Sequence, residues 1–374
     1  MSPPTLLLEG LVLQGPDLEP VSGRVYVEGS RIAGIEARRP RREGLLIMPG
    51  LINAHTHVAD CAFKDAGIGL PLRQLVSSPD GLKHRLLENL TEEQLASAIS
   101  MAEAEMIRSG TTCFCDFREQ GVRGVRALRS SVRSIRALAM GRPTGLGELE
   151  RELEELVSVA DGIGLESVSK YDDESLETVR RIASDKLVSV HALEAKRREG
   201  EVEKALDTLG ADFLVHMTHA TDEDLKMVHD RGRGVVLCPR SNLELVRKAP
   251  PIDEMIRRDI PLALGTDNCM VNSLNMFREM ELALHLTRQK DPLTVLQMAT
   301  TRAAQILGVS NTGVIEEGRE ADLLVLRMDV NMQDARNIHA AVVKRADPQN
   351  VSMVVRGGRE VYSEADLWKG KDAT

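Results

Sequence analysis

The sequence lacks any apolar run of the length that a membrane helix requires. Such a helix needs about 18 to 20 consecutive apolar residues, and the first apolar stretch, residues 6–8, is followed at once by Glu9 and Gly10. No basic residues precede this stretch, as they would in a secretory signal peptide. We therefore expect neither a membrane protein nor an exported one.

A surplus of positive charge is also missing. Lys and Arg number 48 against 57 Asp and Glu, which gives a formal net charge of −9. Because nucleic acids bind to clustered cations that contact phosphates, this balance disfavours a nucleic-acid partner. The arginines between residues 123 and 136 recur every three to four positions, and this spacing predicts one polar face of a helix.

Cysteine is scarce, and its spacing is typical of neither a disulfide scaffold nor a zinc knuckle. The chain has 5 cysteines, an odd number, whereas disulfide frameworks use even numbers at short spacings. Cys113 and Cys115 alternate along an apolar segment, which predicts that both pack on one face of a strand. Reduced cysteines fit a cytoplasmic protein, and this is the localisation that we expect.

The middle of the 374-residue chain alternates between short apolar runs and longer amphipathic stretches. Strands are predicted at residues 46–54, 111–116, 163–168, 187–191, 213–216, 234–238 and 262–265, with a less clear one near 134–140. Helices are predicted at residues 91–109, 148–160, 173–184, 199–209, 223–230 and 274–286. About eight strand–helix units over about 260 residues favour a closed (β/α)8 TIM-like barrel over an open parallel sheet.

The residue pattern at both ends of the chain predicts short strands joined by tight turns. Hairpins are expected to turn at Gly29-Ser30 and at Gly357-Gly358. Two β-rich ends around a different middle predict one discontinuous domain. We expect a small β-sandwich domain from residues 1–49 and 318–374, and a barrel from residues 50–317.

Histidines mark the ends of several predicted strands. Only 9 histidines occur in the chain, and four of them, His55, His57, His191 and His216, fall at the end of a strand. Active sites of barrels lie at the carboxyl ends of the strands, and the period-2 alternation of a strand places His55 and His57 on one face. Asp267 follows another strand, and three neutral imidazoles with one carboxylate form a donor set suited to Zn(II) or Fe(II) that leaves room for a bound water.

The sequence resembles the amidohydrolase superfamily, in particular the branch of S-adenosylhomocysteine, methylthioadenosine and guanine deaminases and triazine hydrolases. The resemblance covers nearly the whole chain and rests on motifs that occur in order. They are Pro-Gly-Leu-Ile-Asn-Ala-His-Thr-His at residues 49–57, Gly-Thr-Thr-Cys-Phe-Cys-Asp at 110–116, His-Ala-Leu-Glu at 191–194, Cys-Pro-Arg-Ser-Asn at 238–242, Leu-Gly-Thr-Asp at 264–267, Asn272, Asn-Met-Phe-Arg-Glu at 275–279 and the segment 313–323.

The resemblance implies a set of site residues and a cofactor. His55, His57, His191 and Asp267 would bind one divalent metal, either zinc, which we expect, or iron. Glu194 would carry protons between the attacking water, the ring nitrogen and the leaving group. His216 would orient the water, and Asp267 would first accept its proton. Members of this family are commonly homo-oligomers, which implies the same for this chain.

The substrate pocket departs from the family pattern. The loop after the first barrel strand, residues 66–89, has no tryptophan, and Ser167 stands roughly where a substrate-binding histidine is usual on the fourth strand. Arg118 and Arg240 are candidates to clamp a carboxylate or a phosphate, with a structural ion pair as the equal alternative. His219 is a further candidate for substrate contact, although a structural role is favoured.

Three functions remain to be weighed. The favoured one is metal-dependent deamination of an amino-substituted heterocycle, such as a purine, a pyrimidine, a nucleoside or a related ring. The alternative is hydrolysis of a cyclic amide or imide, or of another C–N or C–Cl bond, in which two metals would be bridged by a carboxylated Lys170 beside His191 and His216. A scaffold that has lost catalysis is disfavoured, because every ligand and Glu194 are present.

Overall fold

The computed structural model describes residues 6–38, 44–77, 80–145 and 147–364. The strands in these ranges are β1 (Leu6–Gln14), β2 (Glu19–Glu28), β3 (Arg31–Ala37), β4 (Leu45–Pro49), β5 (Leu51–His57), β6 (Thr111–Arg118), β7 (Arg136–Gly141), β8 (Gly162–Leu165), β9 (Leu187–Ala192), β10 (Phe213–His216), β11 (Gly234–Leu237), β12 (Leu262–Leu264), β13 (Asp267–Asn268), β14 (Leu323–Arg327), β15 (Val351–Arg356) and β16 (Arg359–Ser363).

The helices in the same ranges are α1 (Leu72–Val76), α2 (Leu82–Glu88), α3 (Glu92–Arg108), α4 (Gly121–Ser131), α5 (Leu149–Val159), α6 (Asp173–Ile182), α7 (Glu201–Glu203), α8 (Asp222–Asp230), α9 (Pro239–Leu245), α10 (Ile252–Arg257), α11 (Met276–Leu286), α12 (Pro292–Met298), α13 (Thr301–Ile306) and α14 (Ile338–Arg345). Single-turn 3-10 helices lie at Val58–Phe63, Val168–Lys170 and Pro348–Asn350, and a π-helical turn lies at Lys204–Thr208.

Strands β5 to β12 form the wall of a barrel. They pair side by side in chain order, all in parallel, and helices connect each strand to the next. Parallel neighbours need such crossover connections, because a short turn cannot bring the chain back to the same end of the sheet. The alternation in the sequence therefore predicted the fold class, and the barrel is confirmed.

The barrel closes where its last strand is interrupted. β12 pairs with β11, whereas β13, only two residues further on, pairs with β5 through Asp267 opposite Thr56. At the interruption, the side chain of Asn53 on β5 forms the hydrogen bonds that backbone groups form elsewhere between neighbouring strands. Its Oδ1 accepts from the Thr266 N–H at 3.0 Å, and its Nδ2 donates to the Thr266 hydroxyl at 2.8 Å. β12 and β13 together therefore form the eighth strand of the barrel.

The two ends of the chain build a second, mainly antiparallel sheet. Its seven strands follow the order β16-β15-β14-β4-β1-β2-β3, so that both termini contribute neighbours. The predicted hairpin turns at Gly29-Ser30 and Gly357-Gly358 are both present. They also touch, since a Cβ on Gly358 would lie 1.9 Å from the Gly29 carbonyl oxygen. A β-rich unit that draws on both termini is therefore confirmed, and it is one seven-stranded sheet.

Side chains fill the inside of the barrel. Cys113 and Cys115 both belong to this interior cluster, together with Phe117, Phe213 and Val215, as their alternation on β6 predicted. All five cysteines are buried and free. Because the interior is packed, a ligand can enter only at an end of the barrel. Nowhere in the described ranges does a helix combine the length and apolar character of a membrane span.

Several boundaries differ from the prediction for local reasons. The predicted strand 46–54 is two strands, because the chain passes from the terminal sheet to the barrel at Gly50. The predicted helix 199–209 is α7 followed by a π-helical turn, and the arginine-rich helix α4 ends at Ser131, so that Arg136 lies on β7. The division into folding units at residues 1–49 with 318–374, and 50–317, stays a prediction.

Replacement of Gly265 tests the close approach at the barrel closure. A Cβ at this position would lie 2.7 Å from the backbone nitrogen of His55 and 2.8 Å from its oxygen. We expect Gly265→Ala to lower the free energy of unfolding by about 1–3 kcal/mol, because backbone atoms must shift to make room. Gly34→Ala is the control, since nothing lies within 4 Å of a Cβ there. Equal urea midpoints for the two variants would contradict the explanation.

Candidate metal centre

The predicted ligand residues meet at the carboxyl end of the barrel. His55 and His57 lie on β5, His191 on β9 and Asp267 at the start of β13. All four side chains are buried. Since parallel strands run in one direction, residues that are distant along the chain converge at the same mouth. The structure therefore brings together the four residues that the sequence predicted.

The donor atoms of these residues lie close to one another. Nε2 of His55 is 3.2 Å from Nε2 of His191 and 3.3 Å from Oδ1 of Asp267. Nε2 of His57 is 3.5 Å from the same Asp267 oxygen. Zinc–nitrogen bonds of about 2.0–2.1 Å in a tetrahedron place neighbouring donor atoms about 3.3 Å apart. The spacing of the donor atoms therefore fits a single divalent metal ion.

Hydrogen bonds at the far ring atoms direct the Nε2 lone pairs of His57 and His191 inward. Nδ1 of His191 donates to the Leu165 carbonyl at 2.9 Å, and Nδ1 of His57 faces the Phe117 carbonyl at 3.1 Å. With the proton on Nδ1, Nε2 of His57 offers only a lone pair to the Asp267 carboxylate. Two acceptors in such a position repel each other unless a cation lies between them. The donor set is therefore suited to a positive charge at its centre.

Burial keeps the imidazoles in the form that binds a metal. It lowers the pKa of His57 to about 3, and it lowers the pKa values of His55 and His191 as well. Burial alone would raise the pKa of Asp267, but its hydrogen bond to His55 and the nearby imidazoles hold that pKa well below the ordinary value. At neutral pH the site thus presents three neutral imidazoles and one carboxylate.

The backbone is strained at two residues of the site. His216 has a φ of 74° and Asp267 a φ of 58°, both in the left-handed region that non-glycine residues rarely adopt. The Ser241 hydroxyl donates to the second oxygen of Asp267 and thereby fixes the orientation of the carboxylate. Residues held in such conformations cluster at functional sites, where the surrounding structure pays the cost.

His216 differs from the other three imidazoles in its hydrogen bonding. Its Nδ1 lies 3.1 Å from the amide nitrogen of Asn242, which donates to it. The proton of a neutral His216 is therefore on Nε2, and that atom lies 3.7 Å from Oε1 of Glu194. Burial raises the pKa of Glu194, against the opposing effect of His216. His216 is thus placed to donate a hydrogen bond, and Glu194 to exchange a proton.

The two predicted clamp arginines do not reach the cavity. Arg118 is fully buried, and its Nη2 lies 2.6 Å from Glu119 while its Nη1 lies 3.3 Å from Asp116. Arg240 donates to Glu279 at 2.6 Å and to Ser273. Neither arginine is among the described residues that line the cavity. Of the two equal alternatives, a clamp or a structural ion pair, the contacts favour the ion pair, because carboxylates of the chain already lie against both guanidinium groups.

The other two predicted contact residues have different positions. Ser167 lines the cavity, and Arg198 lies near its hydroxyl at 3.4 Å. His219 is outside the described lining, and its Nδ1 lies 3.2 Å from Lys248 Nζ. The structure therefore supports a place in the pocket for Ser167 and a structural position for His219.

A buried ion-pair cluster beside His57 had no counterpart in the sequence analysis. Lys83 on α2 lies 2.8 Å from Asp60 and 2.7 Å from Glu119, and Glu119 lies 2.9 Å from His57 Nδ1. Burial opposes the charge on Glu119, but Lys83, His57 and Arg118 hold its pKa well below the ordinary value. The only sequence signal was the place of Glu119 directly after β6. Glu119 is a charged partner for His57, a predicted ligand, and such carboxylate–histidine pairs are common around metals.

These groups open into one cavity at the barrel mouth. Its volume is about 210 Å³, and it is lined by the predicted ligand residues His57, His191 and Asp267 together with Glu194 and His216. Lys170, the residue of the two-metal alternative, also lines it and lies 2.7 Å from Glu166. A carboxylated Lys170 would be an anion against that carboxylate. The arrangement therefore favours the single-metal site.

A sequence model of the amidohydrolase family matches residues 46–361. The chain is 34% identical to an uncharacterized protein of Methanocaldococcus jannaschii over 370 residues, which cover 92% of this chain and 96% of that protein. It is 28% identical to a 5-methylthioadenosine/S-adenosylhomocysteine deaminase of Clostridium tetani, over 87% of this chain and 83% of that protein. The resemblance inferred from the motifs is confirmed.

A solved structure shares the whole architecture. It is an adenosine deaminase from Xanthomonas campestris with bound zinc, which aligns with a TM-score of 0.82 at 25% sequence identity. The alignment covers 99% of this chain and 97% of that chain. The barrel and the terminal sheet therefore occur together in both proteins.

Removal of one ligand tests the metal centre. We expect the wild-type protein to bind one zinc per chain and His191→Ala to bind far less than one, because an imidazole at the centre of the cluster is lost. His219→Ala is the matched control and should keep one zinc, since His219 lies outside the described lining. Elemental analysis after gel filtration gives both ratios. Two zinc ions per wild-type chain would instead support the Lys170 alternative.

Neutralisation of Glu119 tests the charged partner of His57. We expect Glu119→Gln to weaken zinc binding by about 10- to 100-fold, because the carboxylate that orients His57 and increases its basicity is lost. Competition with a chelator measures the dissociation constant, and circular dichroism checks the fold. The exposed Glu155→Gln is the control. An unchanged zinc affinity in a folded Glu119→Gln protein would rule out this role.

Proposed function

The chain belongs to the amidohydrolase family, and we propose that it is a metal-dependent deaminase of an amino-substituted heterocycle. As a member of this family it is a hydrolase that acts on carbon–nitrogen bonds other than peptide bonds. The observation that carries the proposal is the position of Glu194. Its carboxylate lies beside Nε2 of His216, the nitrogen that carries the N–H of the neutral ring. It lines the same cavity as His57, His191 and Asp267.

We propose His55, His57, His191 and Asp267 as the ligands of one divalent metal, for which zinc is the first candidate. Three imidazoles and a carboxylate are a common zinc donor set, and the adenosine deaminase of similar fold contains zinc. When bound, the metal would lower the pKa of a water molecule toward neutrality and so supply the nucleophile.

The protein groups would then manage the protons of the reaction. Asp267 would accept the first proton from the attacking water, and His216 would orient that water through its Nε2–H. Glu194 would deliver a proton to the ring nitrogen beside the carbon under attack, then take up the remaining proton of the former water and pass it to the departing amino group. The first proton, held by Asp267, would return to Glu194 at the end of the cycle. The carbon gains the water oxygen, the exocyclic C–N bond breaks, and ammonia leaves. A carboxyl group with a raised pKa suits this exchange in both directions.

The heterocycle itself can be found by measuring ammonia release. Metal-loaded protein would be offered purines, pyrimidines, nucleosides, pterins and triazines, and separately cyclic amides and imides, with the metal content determined in parallel. We expect ammonia from at least one amino-substituted ring. Turnover of cyclic amides or imides alone, without ammonia from any of these rings, would contradict the proposal.

The Glu194→Gln variant tests the proposed proton carrier. We expect turnover to fall by about 10²- to 10⁴-fold, because an amide cannot exchange the proton, while zinc content stays at the wild-type ratio. Glu199→Gln, an exposed neighbour on the same segment, should keep wild-type activity. Wild-type turnover in Glu194→Gln would refute the assignment.

A further inference from the structure

Glu201 is a buried carboxylate that lines the same cavity as Glu194. It is the first residue of α7, and it is 6% exposed. One of its oxygens accepts a hydrogen bond from the Leu193 N–H at 3.2 Å. The other oxygen makes no hydrogen bond within the described ranges and lies 4.0 Å from Arg198. Burying an acidic group is costly, and the hydrogen bond to Leu193 offsets part of that cost.

Leu193 links the end of β9 to Glu194 in a strained conformation. It directly follows the strand, and its φ of 49° lies in the left-handed region. Its carbonyl accepts a hydrogen bond from the His219 N–H at 2.9 Å. A residue other than glycine persists in this region only when its surroundings hold it there. The Glu201 carboxylate is the group that holds the N–H of Leu193.

The loop between Glu194 and Glu201 is held mainly at its base. Residues 195–200 are all exposed, so apolar packing does not define their path. The polar contacts along the loop, such as that of Arg197 with Asp224 at 2.9 Å, involve exposed arginines and contribute little. Glu201, at the far end of the loop, is bonded to the residue that precedes Glu194. This buried hydrogen bond therefore closes the loop.

The segment after β10 carries the partner of Glu194 and is strained as well. His216 and Met217 have φ values of 74° and 52°, and the Met217 N–H donates to the Ala192 carbonyl at 3.0 Å. The two left-handed segments are thus bonded to each other. Nε2 of His216 lies 3.7 Å from Oε1 of Glu194, and this distance depends on both backbones. A change in either segment would move the two groups apart.

We propose that Glu201 is a positioning residue that holds Glu194 in the orientation needed for proton transfer. The inference rests on the proposed function, since it concerns the group that would carry the protons. Without the carboxylate, the Leu193 N–H would be buried without an acceptor, which is unfavourable. The backbone of Leu193 would then leave the left-handed conformation and carry Glu194 away from His216. A displacement of about 1 Å near a reacting group can reduce a rate about 10²-fold.

Two variants separate the reach of the Glu201 side chain from its charge. Glu201→Gln keeps the length and a carbonyl oxygen, so we expect kcat to stay within about threefold of the wild type. Glu201→Asp keeps the charge but is one methylene shorter, and we expect kcat to fall by about 10- to 100-fold. KM and zinc content should be unchanged in both variants, because the proposed ligands stay in place. Glu203→Asp, an exposed position on the same helix, is the control.

The kinetics are measured on metal-loaded protein with whichever of adenosine, cytidine, guanine, pterin and melamine releases ammonia fastest. Circular dichroism and urea midpoints check the fold. Glu201→Leu also lacks the acceptor, and it replaces Glu201→Asp if that variant does not fold. An equal loss of kcat in Glu201→Gln and Glu201→Asp, or no loss in Glu201→Asp, would overturn the proposal.

A double-mutant cycle tests whether Glu201 acts through Glu194. In the Glu194→Gln protein the proton carrier is already lost, so Glu201→Asp should lower the remaining kcat by less than about threefold. A loss of about 10- to 100-fold in both backgrounds would mean an independent effect and would contradict the proposal.

Amide hydrogen exchange separates failure of this proposal from failure of the proposed function, because it needs no turnover. Mass spectrometry of peptides that span Leu193 should show faster exchange in Glu201→Asp than in the wild type, Glu201→Gln or Glu203→Asp. This difference with no ammonia from any ring would reject deamination and keep the contact between Glu201 and Leu193. Ammonia release with unchanged exchange and unchanged kcat in Glu201→Asp would reject the positioning role and keep deamination.

Discussion

The closure of the barrel between its last and first strands determines where the metal ligands lie. Asp267 belongs to β13, which pairs with β5, the strand that carries His55 and His57. The pairing therefore carries the carboxylate to within 3.5 Å of both imidazoles. It depends on Gly265, whose missing side chain lets the backbone of His55 approach, and on the amide of Asn53. Barrel closure and the proposed ligand geometry are thus one constraint.

The second layer around the site is ionic and buried. Lys83, Asp60 and Glu119 form a group behind His57, and burial raises the pKa of Asp60 to about 7 while that of Glu119 is held low. In this pair Asp60 is the acid that takes up a proton more readily. Buried ion pairs contribute little net stability, because desolvation offsets their attraction. Their effect here is positional, since Glu119 and the Phe117 carbonyl together fix the ring of His57.

The sequence predicted the features that have a local or periodic signature. Alternating strands and helices indicated the barrel, and the spacing of His55 and His57 indicated two donors on one face of a strand. Lys83 was missed because it lies in a charged helical segment that reads as solvent-exposed, and its burial depends on how α2 packs over the barrel mouth. The ion pair of Arg118 could have been predicted, since Asp116 is two residues earlier on the same face of β6.

Because the chain passes from one sheet to the other at Gly50, the terminal sheet cannot be completed until the end of synthesis. β4 ends at Pro49 and pairs on one side with β14, which begins only at Leu323. At about 5–20 residues per second, synthesis of the intervening chain takes roughly 14 to 55 seconds. During that time β4, with a mostly buried sequence, has one open edge on the ribosome-bound chain. Such an edge can pair with another nascent chain, so the barrel must be completed before this part of the protein is protected from aggregation.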